Sequence, residues 1–373
     1  METTRIVEAA HAGVLNALKV GSSSKPTQTR GLTGWIYRTI RRIIRLSEWG
    51  TTTALRVAER ARSGSIDSIE TRARDRLIST LNGVFGDHLR ASSNPLARSF
   101  SLRSITGEPV TEDIGECGTL VVFVHGLCCS DRDWIDRGDE RGHVAALADA
   151  VNGTAVLARY NTGLAIWENG QYLSQHLDAI MSGAEAPSRI VLVTHSMGGL
   201  VVRSAFQHTA ATSARWVDHV TETIYMGTPH RGAPLERAGV WVENLLRRTP
   251  FTMPMATLGA ARSQGIQDLG HGAIMPGQMG SDLDEPVSTN QDPGRVLYVA
   301  ATLASKKLLV DTVGDGLVPV DSALNASDSF PPATHKVFEN IGHLKLMRDP
   351  AVTEYLRDWL RIGAPEDVPA GEA

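Results

Sequence analysis

The sequence predicts an α/β fold built on a mostly parallel sheet flanked by helices. From Thr119 onward, short Val/Ile/Leu-rich runs alternate with amphipathic stretches, the pattern of strands buried on both faces and of the helices that cover them. A serine stands where one such run meets two glycines and a helical pattern, at Thr194-His-Ser-Met-Gly-Gly199. Before about residue 115 the apolar residues recur at helical spacing instead, which divides the chain into an N-terminal helical accessory region (1–115), a sheet-bearing domain (116–362) and a tail (363–373).

Strands are expected at Leu120–Val124, Ala155–Tyr160, Arg189–Thr194, Thr221–Met226, Arg295–Thr302 and His335–Asn340, where the apolar runs lie. Helices are expected at Gln171–Met181, Gly199–Thr209 and Pro350–Arg361. Between Leu235 and Pro293 no strand pattern occurs and Gly, Met and Pro are frequent. So long an excursion between two strands is usually functional, and a lid or cap is expected there. The small, acidic residues Gly363–Ala373 suit a disordered tail.

In the accessory region, helices are expected at Leu32–Gly50, Leu55–Ala61 and Ile66 to about Val84. At about 100° per residue, Leu32, Trp35, Ile36, Ile40, Ile43 and Leu46 share one face of the first, opposite Arg38, Arg41 and Arg45. Two readings stand: a helix packed on the sheet-bearing domain with solvated arginines, or peripheral contact of this Leu32–Gly50 helix with an anionic membrane.

The bulk properties exclude other classes. Formal net charge is −4 over 373 residues, and no basic run points to nucleic acid. Three cysteines, Cys117, Cys128 and Cys129, make a poor disulfide framework, so a reducing compartment is expected. For Cys128 and Cys129 core packing is a simpler role than redox control. The first twenty residues lack a basic head followed by an apolar run, and no stretch reaches the ~20 apolar residues of a spanning helix. A cytoplasmic location, with or without a peripheral membrane contact, is the expectation.

Chemistry concentrates around Ser196. A strand, a serine at a sharp turn and an immediate helix form a nucleophile elbow. Gly198 supplies the small residue two places after the serine, but Thr194 stands where G-x-S-x-G has its first glycine, which questions the tightness of the turn. The N–H of Met197, directly after the nucleophile, is one candidate oxyanion donor, and that of Leu127, in Val124-His-Gly-Leu127, is the other. His125 in that loop is expected to shape it. The general base must follow the serine and the acid in chain order. Among His208, His219, His230, His271, His335 and His343, the last lies just past the final strand in Ile341-Gly-His343, where sites of open α/β sheets gather. Asp315, between two glycines after the fifth strand, is the expected acid; Asp311 and Asp321 remain open.

Together these pieces, with Met226-Gly-Thr-Pro-His-Arg-Gly-Ala-Pro234, resemble bacterial lipases and esterases of the α/β-hydrolase superfamily. Within it, residues 116–362 are most similar to the GPI inositol-deacylase-like and lecithin–cholesterol acyltransferase-type lipases. The resemblance implies an α/β-hydrolase fold, a Ser196–Asp315–His343 triad, an oxyanion hole at Leu127 and Met197, and lipid or acyl-ester substrates. The segment Leu81–His88 is similar to N-terminal helices of members whose role is undefined. The expected reaction is carboxylic ester hydrolysis through an acyl-enzyme, with no metal or organic cofactor. Acyl transfer or thioester cleavage would use the same triad, and a catalytically silent acyl-lipid-binding or scaffold protein is the alternative outside enzymes.

Overall fold

The computed structural model describes residues 66–111, 114, 117–135, 142–212, 214–233, 263–277, 292–303, 314–325 and 333–362. The amphipathic 32–50 segment, the 55–61 helix, most of the expected lid and the tail lie outside the described residues.

Eight strands form one sheet: β1 (Ser101–Ser104), β2 (Pro109–Val110), β3 (Thr119–Val124), β4 (Thr154–Arg159), β5 (Arg189–His195), β6 (Val220–Met226), β7 (Arg295–Thr302) and β8 (Ala333–Glu339). Their order is β2-β1-β4-β3-β5-β6-β7-β8. From β4 to β8 every pairing is parallel, while β1 joins β4 and β2 antiparallel. The six strands read from sequence are all present, with ends within two residues of those expected. The β1–β2 hairpin falls within residues 1–115, where the sequence predicts only helices, and it belongs to the sheet instead. Its strands are too short, and too polar in Ser101-Leu-Arg-Ser104, to show a periodicity; pairing with β4 makes them strands.

Continuous apolar runs serve two faces at once. In β3, Leu120, Val122 and Val124 join one core, and Val121 and Phe123 the other. The first core lies under helices α1 (Ile66–Ala91), α3 (Ile166–Met181) and α4 (Met197–Thr212). The second lies under α2 (His143–Ala150) and α7 (Pro350–Ile362). Short helices α5 (Gln264–His271) and α6 (Val320–Ala323) follow β6 and precede β8. Among the described residues no helix is long and apolar enough to cross a membrane.

Helix α1 extends past its expected end near Val84 to Ala91, across a kink at Phe85 (φ −130°, ψ 18°). It is an integral part of the core, with Leu81, Val84, Phe85 and Leu89 buried. It approaches the loops after β3 and β4 closely enough to exclude side chains. A Cβ on Gly83 would lie 2.2 Å from Cys128 Sγ, and one on Gly163 would lie 2.2 Å from the Asn82 carbonyl oxygen and 2.7 Å from Gly86 N. Ions reinforce the contact: Asp75 accepts from Arg98 Nη2 at 2.6 Å and from Ser130 Oγ at 2.7 Å, while Asp131 takes both Nε and Nη2 of Arg159, at 2.6 and 2.9 Å.

Helix α5, the described part of the expected lid, closes over the same place. Ser263 caps it by accepting from Ile266 N while donating to Gly83 O at 2.6 Å. Asp268 accepts from Ile166 N at 2.9 Å.

Because a Cβ at Gly163 meets backbone rather than a yielding side-chain tip, Gly163→Ala should lower unfolding free energy by about 1–3 kcal/mol, the usual range for overpacking. Urea titration of both forms checks this, and an unchanged midpoint would contradict the close seating of α1.

Candidate active site

The strand order reverses between β4-β3 and β3-β5, which opens a crevice at the carboxyl ends of β3 and β5. Both loops singled out in the sequence start there. Ser196 stands between the last residue of β5 and the first of α4, buried, with φ +55°. A non-glycine residue in this left-handed region costs of order 1–3 kcal/mol and persists only where its surroundings impose it. Here Ser196 N donates to Met226 O at 2.8 Å, and Gly199 N donates to Ser196 O at 3.0 Å.

The next turn of chain leaves no room for a side chain: a Cβ on Gly198 would lie 2.3 Å from Val124 O and 2.7 Å from His125 O. Thr194 does not loosen the elbow. Its hydroxyl turns to β6 and donates to Ile224 O at 2.9 Å, so the position of the missing glycine is filled without strain on the turn.

The loop after β3 lies flush against the serine. A Cβ on Gly126 would come 2.8 Å from Ser196 Cβ and 3.2 Å from its Oγ. Cys128 has φ +59°, and its N–H is taken by Thr162 Oγ1 at 3.1 Å; Cys129 N donates to Gly126 O. Neither Leu127 N–H nor Met197 N–H is bonded to an acceptor among the described residues. Burial pushes the Cys128 thiol up to about 12, in keeping with a packing role.

Asp315 and His343 are brought together. The His343 ring donates through Nδ1–H to Asp315 Oδ2 at 2.7 Å, both side chains being buried. The other carboxylate oxygen accepts from Leu317 N and Val318 N, at 3.0 and 2.8 Å. Backbone N–H groups thus aim the carboxylate, and the carboxylate in turn sets the imidazole tautomer. His343 N donates to Asp315 O at 3.0 Å. Of the other acids, Asp321 is exposed on α6 and Asp311 lies outside the described residues.

The remaining histidines are elsewhere engaged. His230 Nδ1 accepts from Arg203 Nη1 at 3.0 Å between the edges of Tyr225 and Tyr298. His335 stacks on Tyr298 and bonds Leu324 O. His208 lies in α4 and His271 ends α5, and His219 sits at the start of β6 beside Ser188 O. His125, expected to shape its loop, stacks on Tyr160 at 4.4 Å and donates through Nδ1 to Gly126 O; Tyr160 donates its hydroxyl to His125 O.

Three contributors escaped the sequence reading. Gly227 (φ +57°) brings the Met226-Gly-Thr-Pro turn against the dyad: a Cβ there would lie 3.2 Å from Asp315 Oδ2 and 3.3 Å from His343 Cε1. His143 holds the 3₁₀ turn His343–Met347 by donating from Nε2 to Leu346 O at 2.9 Å. His195 bonds the carbonyl of His343. Gly227 and His195 left a trace in sequence, as parts of motifs, but without a role. Among the described residues no group of three or more His, Cys, Asp or Glu side chains is arranged to hold a metal ion.

A mostly parallel sheet with a serine elbow after β5, an acid after β7 and a histidine after β8 defines an α/β-hydrolase fold. Residues 116–253 match the family described as the PGAP1-like alpha/beta domain, in agreement with the resemblance read from the motifs. Comparison with curated protein sequences gives no significant match. Similar solved structures include the mature form of Bacillus licheniformis lipase BlEst2, at 20% identity over 70% of this chain and 98% of that one, TM-score 0.45. Esterase RhEst1 from Rhodococcus sp. ECU1013 is 14% identical over 70% and 97% of the two chains, TM-score 0.40.

Burial pushes the imidazoles of His125 and His143 down to about 4. The unfolded chain takes up protons below about 6.5 that the fold refuses until about 4, so their contribution is complete above 6.5 and is lost as pH falls through that window. Unfolding free energy should drop by roughly 2–4 kcal/mol between pH 7 and 5. Urea titrations at the two pH values read this directly, and a flat response would contradict the neutral burial of these rings.

Proposed function

We propose that the chain is a serine hydrolase acting on carboxylic esters, with Ser196 as nucleophile, His343 as general base and Asp315 as its orienting acid. The observation that carries this reading is the buried 2.7 Å bond between His343 and Asp315, with the His343 ring packed 4.7 Å from that of His195, the residue before a serine held at φ +55°. Strain at Ser196, an imidazole of defined tautomer and two uncommitted N–H groups are the parts that acyl transfer requires.

In this mechanism His343 accepts the Ser196 proton through Nε2 as Oγ attacks the ester carbonyl. The carbonyl oxygen gains negative charge and is held by the N–H groups of Leu127 and Met197, the latter at the positive end of α4. The imidazolium is stabilised by Asp315 and returns the proton to the leaving alcohol. Water, activated by the same imidazole, then releases the acid and restores Ser196. Lipid or other apolar acyl esters are the proposed substrates, on the strength of the motif resemblance and of the long insertion after β6.

A fluorophosphonate should add one adduct to the wild type, detected by intact mass, and none to Ser196→Ala. No adduct on folded wild type, with and without detergent, would overturn the assignment and favour a silent acyl-binding protein. With p-nitrophenyl esters of graded chain length, Asp315→Asn should lose about 10⁴-fold in kcat through the wrong imidazole tautomer. A loss below tenfold would remove Asp315 from its role. Acyl transfer to added alcohol in place of hydrolysis would redirect the reading to a transferase with the same triad.

A further inference from the structure

His195 is the last residue of β5 and the covalent neighbour of Ser196. Its ring is fully buried. Nε2 donates to the backbone carbonyl of His343 at 3.0 Å, and the two imidazole centroids are 4.7 Å apart, inclined at 46°. The edge of Trp134 meets the ring from another side, with 6.4 Å between centroids at 87°. Nδ1 is buried without a hydrogen-bond partner and faces Gly126, where a Cβ would lie 3.2 Å from it. An orphaned buried nitrogen is destabilising, a penalty that an apolar residue of similar volume would avoid.

We propose that His195 is a positioning residue that ties the general base to the nucleophile: its Nε2–H holds the His343 carbonyl, and with it the start of the 3₁₀ turn, one peptide bond away from Ser196. This rests on the serine-hydrolase reading above. Two other tethers of His343, through its own N–H and its ring, run to Asp315 and fix the base relative to the acid. The His195 bond links the β5 elbow directly to the loop after β8. Because its acceptor is a carbonyl, His195 is the Nε2–H tautomer, and a second proton on its buried Nδ1 would find no hydrogen-bond acceptor among the described residues. Burial, with His343 nearby, holds its pKa well below the usual imidazole value. A neutral ring here is needed, since the imidazolium formed on His343 during turnover would repel a charged one 4.7 Å away.

The side-chain nitrogen of Gln reaches where Nε2 of His lies, whereas that of Asn reaches only as far as Nδ1. The pair His195→Gln and His195→Asn therefore separates the bond from polarity and burial. Misplacing a reacting group by about 1 Å can cost 10²-fold. His195→Asn should accordingly lose about 10²-fold in kcat and in fluorophosphonate labelling rate, with KM changed less than about threefold. His195→Gln should stay within about threefold of wild type. Hydrogen exchange by mass spectrometry should show faster exchange at residues 343–347 in the Asn variant alone. An Asn variant as fast as the Gln variant, or equal losses in both, would overturn the tether. If the wild type itself is not labelled, the serine-hydrolase reading fails, and the exchange data still decide whether His195 anchors the turn.

Discussion

Helix α4 begins so close to the end of β3 that only glycine fits at position 198, where a Cβ would lie 2.3 Å from Val124 O. Much of the site follows from this constraint. For the helix to start there, the chain leaving β5 must reverse within one residue, and Ser196 takes up the positive φ of +55°. The same approach places the loop after β3 against the serine, where a Cβ on Gly126 would lie 2.8 Å from that of Ser196. The sheet can hold such a turn because β5 is flanked by β3 and β6 along its length, and the energy of those buried strands absorbs the local strain.

Glycine also governs how the N-terminal helix joins the domain. Gly83 and Gly86 of α1 face Cys128 and Asn161, while Gly163 and Gly265 admit the backbone of neighbouring segments. The side chains removed from these positions let α1, α5 and the loops after β3 and β4 meet through backbone. Loops seated in this way cannot drift, which matters because oxyanion donors act only where their positions are set in advance of reaction.

Polar groups under this roof are arranged for neutrality. His125, His143, His195 and His230 are all buried, and all have lowered pKa values from loss of solvent. Each engages a backbone carbonyl or a neighbouring donor: Gly126 O, Leu346 O, His343 O and the Arg203 guanidinium. None of these rings competes with His343 for Asp315. Fixed hydrogen bonds offset part of the cost of desolvating them and trade stability in acid for definition of the loops around Ser196.

The sequence by itself determined the parallel strands, the elbow and the chain order of Ser196, Asp315 and His343. Strands buried on both faces must be continuously apolar, and turns at strand ends must carry small residues, so both leave a local signature. It did not determine the β1–β2 hairpin, the seating of α1 in the core or the contacts of His195, His143 and Gly227. Ser101-Leu-Arg-Ser104 becomes a strand only through pairing with β4, and His195 reaches the carbonyl of a residue 148 positions away. Such choices depend on which surfaces the folded chain brings together, and no window of sequence records that proximity. Thr194 marks the boundary most clearly: its departure from glycine questioned the elbow in sequence, and a hydrogen bond across to β6 made the departure harmless.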